Sequence, residues 1–172
     1  GANRANQAMQ IKDIERRLVS VYTVYADAII NRNLEHSMKE FEALAAQGKK
    51  DIIDINKIID TEQEKAHAAI YEKLYSEYIS YFPELIHLLK NDRQNMSAIR
   101  AIDDKIDTIR DEADEYINKI SESIKKEMLE ADALFDGIVR SIIRLSVILT
   151  GAGLSLAFLM AFFMTRYMTK SL

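Results

Sequence analysis

The clearest hydrophobic pattern in the chain is an apolar stripe that lies between residues 94 and 143. Its members recur at spacings of three and four, and Asp and Glu crowd the opposite face. The stripe comprises Ile99, Ile102, Ile106, Ile109, Ala113, Tyr116, Ile120, Ile124, Met128, Ala131, Leu134 and Ile138. This spacing predicts one uninterrupted amphipathic helix of about seventy residues that continues into a more apolar stretch.

That apolar stretch runs from Leu145 to Met164 without a charged residue. At about 1.5 Å per residue it is roughly 30 Å long, which matches the hydrocarbon core of a bilayer. Arg140 and Arg144 precede it and Arg166 follows it, as is typical of residues that reach a membrane interface. We therefore predict a transmembrane helix, although similar charges on both sides leave its orientation open.

Small residues recur within the predicted membrane helix. Gly151 with Ser155, and Gly153 with Ala157, are spaced four apart. Such pairs allow a second helix to approach closely, so they hint at dimerisation within the membrane.

The first part of the chain has a similar periodicity, which predicts one long helix over residues 5–46. Its apolar positions shift phase slightly after residue 28, and Asn31-Arg32-Asn33 is the only polar interruption. Gly48 is free to take the left-handed conformation, so we expect the helix to end at residues 46–48. The stripe comprises Met9, Ile14, Leu18, Val21, Tyr25, Ala28, Ile30, Leu34, Met38, Phe41 and Ala45.

The middle of the chain, residues 51–90, is predicted to form two shorter helices with a break between residues 60 and 83. Thr61 and Glu64 fit a capping box, and Pro83 is expected at a helix start or a kink. Residues 90–93 form a polar turn. The apolar positions are Ile52, Ile55, Ile59, Ala66, Ile70, Leu74, Tyr78, Leu85 and Leu89.

These elements together predict an all-α fold. We expect an antiparallel, up-down-up-down four-helix bundle whose last helix continues into the transmembrane helix, since a chain that enters from the membrane and returns to it needs an even number of helices between the two points. Its membrane-proximal part is expected to be held mainly by the first and last helices. The predicted boundaries are residues 1–141 for the bundle, 142–165 for the membrane helix and 166–172 for the start of a following linker. The chain opens Gly-Ala-Asn-Arg and stops soon after the apolar stretch, which favours a piece of a larger protein.

Composition and charge exclude several other classes of protein. One Pro and five Gly are too few for the turns of a sheet protein. The net charge of −4 argues against a nucleic-acid binder. The absence of Cys excludes disulfides and thiolate chemistry.

Candidate chemistry along the chain is sparse. His36, His67 and His87 lack carboxylates at ligand spacing, so each is expected to be exposed or at a rim, and no metal or cofactor site is predicted. The acidic pairs fall on polar helix faces and no catalytic pattern is present, so we predict that the chain is not an enzyme. The tyrosines at 71, 75, 78 and 81 are expected to pack within the bundle, with hydroxyls that reach the surface, rather than line a cleft.

Three local stretches carry a resemblance to a known family. Residues 25–34 (YADAIINRNL) resemble the D-A-I-x-x-R-x-L segment of bacterial methyl-accepting chemotaxis proteins, in their four-helix-bundle sensor class. Residues 102–110 (IDDKIDTIR) are similar to the I-D-x-x-I-D-x-x-R stretch of the last sensor helix. Residues 166–172 (RYMTKSL) are similar to the entry into a HAMP domain, with Ser171 at the usual Pro. The CHASE3-type sensors are also similar.

The resemblance implies the ligand-sensing and signal-transducing region of a chemoreceptor in the bacterial inner membrane. The bundle would be a periplasmic sensor domain in a homodimer, and a first transmembrane helix would precede Gly1. The partners would be a small-molecule ligand or a periplasmic binding protein. A small displacement of the last helix would reach HAMP, a cytoplasmic histidine kinase and its adaptor through domains beyond Leu172.

The resemblance also implies that arginines bind carboxylate ligands, although no motif assigns that role to a position. The candidate ligand-binding residues are Arg16, Arg17, Tyr22 and Tyr25, of which Arg16 is the first to test. Two alternatives remain: the sensor of a membrane histidine kinase, and a tail-anchored helical structural or assembly protein.

Overall fold

The computed structural model of the chain consists of four α-helices joined by short turns. It describes the backbone of residues 2–169 and the side chains of residues 4–164 and 166. The helices are α1 (Ala2–Ile30), α2 (Leu34–Ile58), α3 (Glu62–Asn91) and α4 (Met96–Thr169). No strand occurs among the described residues. The predicted all-α class is therefore confirmed.

The first turn lies at the polar interruption of the sequence. α1 ends at Ile30, and Arg32 adopts a left-handed φ of 57°. The side chain of Asn33 then caps α2 by accepting a hydrogen bond from the backbone N–H of His36. The prediction of one helix over residues 5–46 is therefore wrong, because Asn31-Arg32-Asn33 supplies both the turn and the cap.

The predicted helix end at Gly48 is also wrong. Gly48 is buried inside α2, and its φ is not positive. A Cβ at this position would lie 1.9 Å from the hydroxyl oxygen of Tyr75. That hydroxyl donates to the carbonyl of Leu44 at 3.4 Å. The glycine therefore permits the close approach of a tyrosine from α3, and it does not end a helix.

The second turn falls at residues 59–61, at the start of the predicted interval. The hydroxyl of Thr61 accepts a hydrogen bond from the N–H of Glu64 at 3.2 Å, and the Glu64 carboxylate accepts one from the N–H of Thr61 at 3.3 Å. The predicted capping box is therefore confirmed. The third turn follows Asn91, where the side chain of Asn95 accepts a hydrogen bond from the N–H of Ala98 at 3.0 Å.

Pro83 lies inside α3 and does not start a helix. It has no N–H, so the carbonyl of Ile79 has no backbone donor four residues further on. One residue earlier, the carbonyl of Tyr78 accepts a hydrogen bond of 2.5 Å from the hydroxyl of Tyr25 in α1. The part of α3 that lacks this backbone hydrogen bond is therefore also the part to which α1 is attached.

One hydrophobic core is shared by all four helices. The predicted stripe of α4 is confirmed as far as Ile124, except that Ile117 is fully buried while Tyr116 is half-buried. The predicted inward positions Ala66 and Ile70 are wrong, since both are exposed. The largest fully buried side chains are Tyr25, Tyr78, Ile11, Ile14, Leu18, Ile55, Leu85, Leu89, Ile106, Ile117, Ile120 and Ile124.

The chain divides into two compact units, the first of which ends at Met128 while the second begins at Leu129. In the second unit every described side chain up to Met164 is exposed. The predicted stripe residues Ala131, Leu134 and Ile138 are therefore not buried. Within the described residues, one helix, α4, is long and apolar enough to cross a membrane by length and composition.

Candidate functional site

An open groove lies between α1 and α4 in the first compact unit. Its volume is about 530 Å³, which falls within the range of small-molecule pockets. Apolar and small side chains form much of its surface, and charged groups lie along it. The lining residues are Ala5, Ala8, Met9, Lys12, Asp13, Arg16, Ser121, Lys125 and Met128.

More cationic than anionic side chains line this groove. Three cations, from Lys12, Arg16 and Lys125, line it against the single carboxylate of Asp13. Lys12 pairs with Glu15, whose side chain is only 13% exposed, at 2.5 Å, and Arg16 pairs with Asp13 at 3.3 Å, so with Glu15 counted the groove has one more cation than carboxylates. An anionic molecule with an apolar portion therefore fits the lining best.

Arg16 is the candidate ligand-binding residue that lies in this groove. Its side chain is 81% exposed, so it is accessible to a ligand. Residues one apart on a helix point in different directions, and Arg17 accordingly meets a different neighbour.

Arg17 binds Asp51 of α2 through two hydrogen bonds. Its Nε donates to one carboxylate oxygen at 2.6 Å, and its Nη2 donates to the other at 2.9 Å. The side chain of Gln47 donates to the same carboxylate at 3.0 Å. The Asp51 side chain is only 4% exposed, so this forked pair joins α1 to α2 within the packed unit.

Tyr22 packs against α4. The guanidinium of Arg110 lies 4.1 Å from the centre of the Tyr22 ring, and Arg110 pairs with Asp111 at 2.7 Å. Burial, and then a hydrogen bond to Asp107, raise the pKa of Tyr22. This cluster is a cation–π contact between two helices.

Tyr25 is completely buried. Its ring centre lies 5.2 Å from that of Phe82 and 5.8 Å from that of Phe41, and those two phenylalanines stack on each other at 3.8 Å. Burial raises the pKa of Tyr25. The structure therefore brings Arg16, Arg17, Tyr22 and Tyr25 to four different environments and not to one cleft.

The histidines and the tyrosines of α3 lie as predicted, except for the position of a tyrosine hydroxyl. His36 and His87 are exposed and His67 is half-buried, as predicted. Tyr71, Tyr75 and Tyr78 are buried in the core as expected. The hydroxyl of Tyr78 is buried and does not reach the surface, which differs from the prediction.

A polar cluster that the sequence does not reveal lies where the start of α1, the α2–α3 turn and α4 meet. The guanidinium of Arg4 binds the carboxylates of Asp60 and Glu127, the latter at 2.7 Å. Glu64 lies beside them, and one oxygen from each of the three carboxylates falls within 4.8 Å of the others. Residues 4, 60 and 127 are far apart in sequence, so no spacing rule could have joined them.

The α2–α3 turn therefore reaches the same end of the compact unit as Arg4 and Glu127. The prediction that this end is held mainly by the first and last helices is therefore incomplete, because Arg4 also binds Asp60 and the carbonyl of Ile58. All four helices contribute to it.

Comparisons with protein families, with characterised proteins and with solved structures give no match for this chain.

Proposed function

We propose that this chain is the ligand-sensing and membrane-crossing region of a bacterial transmembrane receptor. The observation that carries the proposal is the make-up of α4. Ile99 to Ile124 bury one face of this helix in the shared core, and the same helix includes the uncharged stretch from Leu145 to Met164. One helix thus belongs to a folded unit and also has the length and composition of a membrane span.

The four helices of the first unit form an antiparallel, up-down-up-down bundle in this proposal. Contacts between consecutive helices support it, because early residues of one helix meet late residues of the next. The supporting pairs are Arg4 with Asp60, Arg17 with Asp51, Phe41 with Phe82, Tyr75 with Leu44, His67 with Tyr116 and Tyr81 with Lys105. The first and last helices are also antiparallel neighbours, through Arg4 with Glu127 and Tyr22 with Arg110.

A helix of this kind suits the relay of a signal. Its core-facing side chains are fixed by close packing, so a ligand that favours one packing arrangement over another shifts the helix by a small amount. The apolar stretch carries that shift across the membrane to a bistable module on the other side. In the full receptor this module controls a cytoplasmic histidine kinase through HAMP and an adaptor, and the receptor works as a homodimer in the inner membrane with its bundle in the periplasm.

The groove between α1 and α4 is the proposed ligand site. Its lining favours a small anion with an apolar part, and Arg16 supplies an exposed guanidinium there. A ligand in this position contacts both α1 and α4, so its binding bears directly on the helix that continues into the span. A periplasmic binding protein that covers the same groove is the other form of input.

The orientation is tested by labelling single cysteines, since the chain contains no natural Cys. Ser97→Cys lies at the exposed start of α4, and Ser171→Cys lies beyond the apolar stretch in sequence. A membrane-impermeant maleimide is expected to label Ser97→Cys in intact spheroplasts and Ser171→Cys only after lysis. Recovery of the chain in the soluble fraction, or equal labelling of both sites before lysis, would contradict the proposal.

The sensing role is tested with a chimera in which residues 1–172 replace the input region of a chemoreceptor with a kinase readout. A panel of small carboxylates is screened for altered kinase output, and Arg16→Ala is compared with Arg100→Ala, another exposed arginine. We expect the response to be lost in Arg16→Ala and retained in Arg100→Ala. A chimera that inserts correctly but responds to no carboxylate or periplasmic extract would favour the structural, tail-anchored alternative.

A further inference from the structure

The carboxylate cluster at the end of the compact unit contains one oxygen that its neighbours do not satisfy. Glu64 is completely buried, and one of its carboxylate oxygens has no hydrogen-bond partner. Its other oxygen accepts hydrogen bonds from the backbone N–H groups of Asp60 and Thr61, at 3.1 and 3.3 Å. A buried carboxylate oxygen without a partner is unfavourable, because it has lost its hydration without gaining a hydrogen bond.

The carboxylates of this cluster also outnumber the guanidinium that binds them. Three carboxylates from Asp60, Glu64 and Glu127 face one guanidinium, that of Arg4. Arg4 binds Asp60 and Glu127, and it also donates to the backbone carbonyl of Ile58 at 3.3 Å. No hydrogen bond joins it to Glu64 among the described contacts. Among the described contacts the guanidinium therefore binds two of the carboxylates and not the buried third.

We propose that Asp60, Glu64 and Glu127 form a Ca²⁺-binding site in which Arg4 occupies the place of the ion when the ion is absent. All three ligands are hard carboxylate oxygens, which suit Ca²⁺ rather than a transition metal. Two oxygens that each lie about 2.4 Å from one ion are at most about 4.8 Å apart. The three oxygens here lie within 4.8 Å of one another, so they surround a single ion with little rearrangement.

The three proposed ligands lie on two different parts of the fold, so a bound Ca²⁺ ion would join those parts. Asp60 and Glu64 belong to the α2–α3 turn, whereas Glu127 lies on α4 one residue before the end of the first compact unit. An ion held by all three fastens the turn to α4 at that end. Arg4, released from Asp60 and Glu127, still reaches Gln7 one turn along α1, to which it already donates at 3.1 Å.

The test is calorimetric titration of CaCl₂ into the purified full chain, washed with a chelator and held in neutral detergent micelles. MgCl₂ serves as a second probe, because Mg²⁺ requires a stricter octahedral arrangement. We expect one Ca²⁺ site with a Kd of about 10⁻⁴ to 10⁻³ M, as in extracellular modules, and weaker binding of Mg²⁺. Thermal unfolding followed by circular dichroism is expected to shift upward with Ca²⁺.

Two matched variants distinguish Ca²⁺ binding at this site from non-specific attraction of Ca²⁺ to acidic side chains. Glu64→Gln removes the buried charge but keeps a residue that fits a capping box, and it is expected to weaken Ca²⁺ binding by about tenfold or more. Glu62→Gln makes the same change on the same turn at a side chain that is 90% exposed, and its affinity is expected to stay unchanged.

Arg4→Gln tests the competition between the guanidinium and the ion. Removing the positive charge is expected to lower the melting temperature without Ca²⁺, to tighten Ca²⁺ binding and to enlarge the thermal shift. The proposal is overturned if neither the natural chain nor Arg4→Gln binds Ca²⁺ at millimolar concentration, or if Glu64→Gln binds it as well as Glu62→Gln does. These measurements use the purified chain, so they are independent of any receptor activity.

Discussion

The two parts of α4 are both helical, but they differ in how their apolar side chains are arranged and buried. Between Ile99 and Ile124 the helix buries one stripe, and polar side chains occupy the rest of its surface. Between Leu145 and Met164 it is apolar on every side, and every one of these side chains is exposed. The first pattern is stable in water because neighbouring helices cover the stripe, whereas the second has the length and composition of a helix that crosses a membrane.

The largest effects are expected when the same charge is placed in each part of α4. Ile117→Arg puts an unpaired charge at a fully buried position, which costs several kcal/mol out of a total stability of about 5–15 kcal/mol. Leu154→Arg puts it at the middle of the apolar stretch, where insertion is disfavoured by about 2.5–3.5 kcal/mol. We expect the first variant to lose its cooperative thermal transition and the second to leave the membrane fraction.

Cell fractionation and circular dichroism measure these two effects separately. Leu129→Arg is the control, since Leu129 is exposed and precedes the apolar stretch. If Leu154→Arg lowers the melting temperature of the compact unit as much as Ile117→Arg does, the division of α4 into two solvent regimes is wrong.

Alkaline pH is expected to have the next largest effect, and only on the compact unit. Burial raises the pKa of Tyr25, Tyr71 and Tyr78, and it raises the pKa of Tyr75 to about 12. In the unfolded chain these groups ionise near their ordinary pKa of about 10. Below about pH 10 the buried tyrosines therefore contribute fully to the free energy of unfolding. As the pH rises towards and beyond 12 this free energy decreases, by up to about 1.4 kcal/mol per tyrosine per pH unit.

Urea unfolding at several pH values, read together with tyrosinate absorbance, checks this expectation. Tyr78→Phe is a suitable variant because the Tyr78 hydroxyl is buried without a hydrogen-bond partner, so its removal loses no bond. We expect a smaller loss of stability with rising pH in this variant. Residues 129–164 contain no Tyr, so their helical signal should persist. Equal pH slopes for both chains would contradict the assignment.

The sequence predicts the two parts of α4 better than it predicts the turns of the compact unit. A long apolar stripe and an uncharged stretch are local patterns, and both are visible in one reading of the chain. Gly48 looked like a helix end because glycine commonly ends helices, yet a tyrosine on another helix determines its role here. Asn31-Arg32-Asn33 looked like a polar interruption, although it forms the turn.

The contacts of the candidate site residues also join residues that are far apart in sequence, so local patterns do not predict them. Arg16 could be chosen as an exposed guanidinium, but nothing in the sequence separates it from Arg17, which pairs with Asp51 across two helices. The cluster around Glu64 joins residues from three segments, so only the folded chain brings it together. The capping box was predictable because its partners are three residues apart.

Arginine substitutions on α1 sharpen the contrast between buried and exposed charge. Arg17→Ala leaves the nearly buried carboxylate of Asp51 with Gln47 as its remaining side-chain donor, and we expect a loss of about 2–4 kcal/mol. Arg16→Ala removes an exposed pair with Asp13, and its effect should stay below about 0.5 kcal/mol. Urea unfolding of both variants measures the difference, and equal effects would show that the forked pair adds no stability.

The smallest effect is expected for a methyl group added to glycines in the two units. Gly48→Ala places its Cβ against the Tyr75 ring, so overpacking of about 1–3 kcal/mol outweighs a gain in helix propensity of about 1 kcal/mol. Gly153→Ala has nothing within 4 Å in this chain, so it should leave the stability of the compact unit unchanged. Any loss of dimer cross-linking in Gly153→Ala would instead report a second helix packed in the membrane.

A double-mutant cycle tests whether the contact with Tyr75 causes the loss of stability expected for Gly48→Ala. In a Tyr75→Ala background the added methyl meets no ring, so Gly48→Ala should become neutral or stabilising, because only the helix propensity remains. Urea unfolding of the four chains gives the coupling between the two sites. If Gly48→Ala remains as destabilising without the ring as with it, the glycine is required by the backbone of α2 and not by the tyrosine. The close approach of α3 at this point would then have to be explained by another contact.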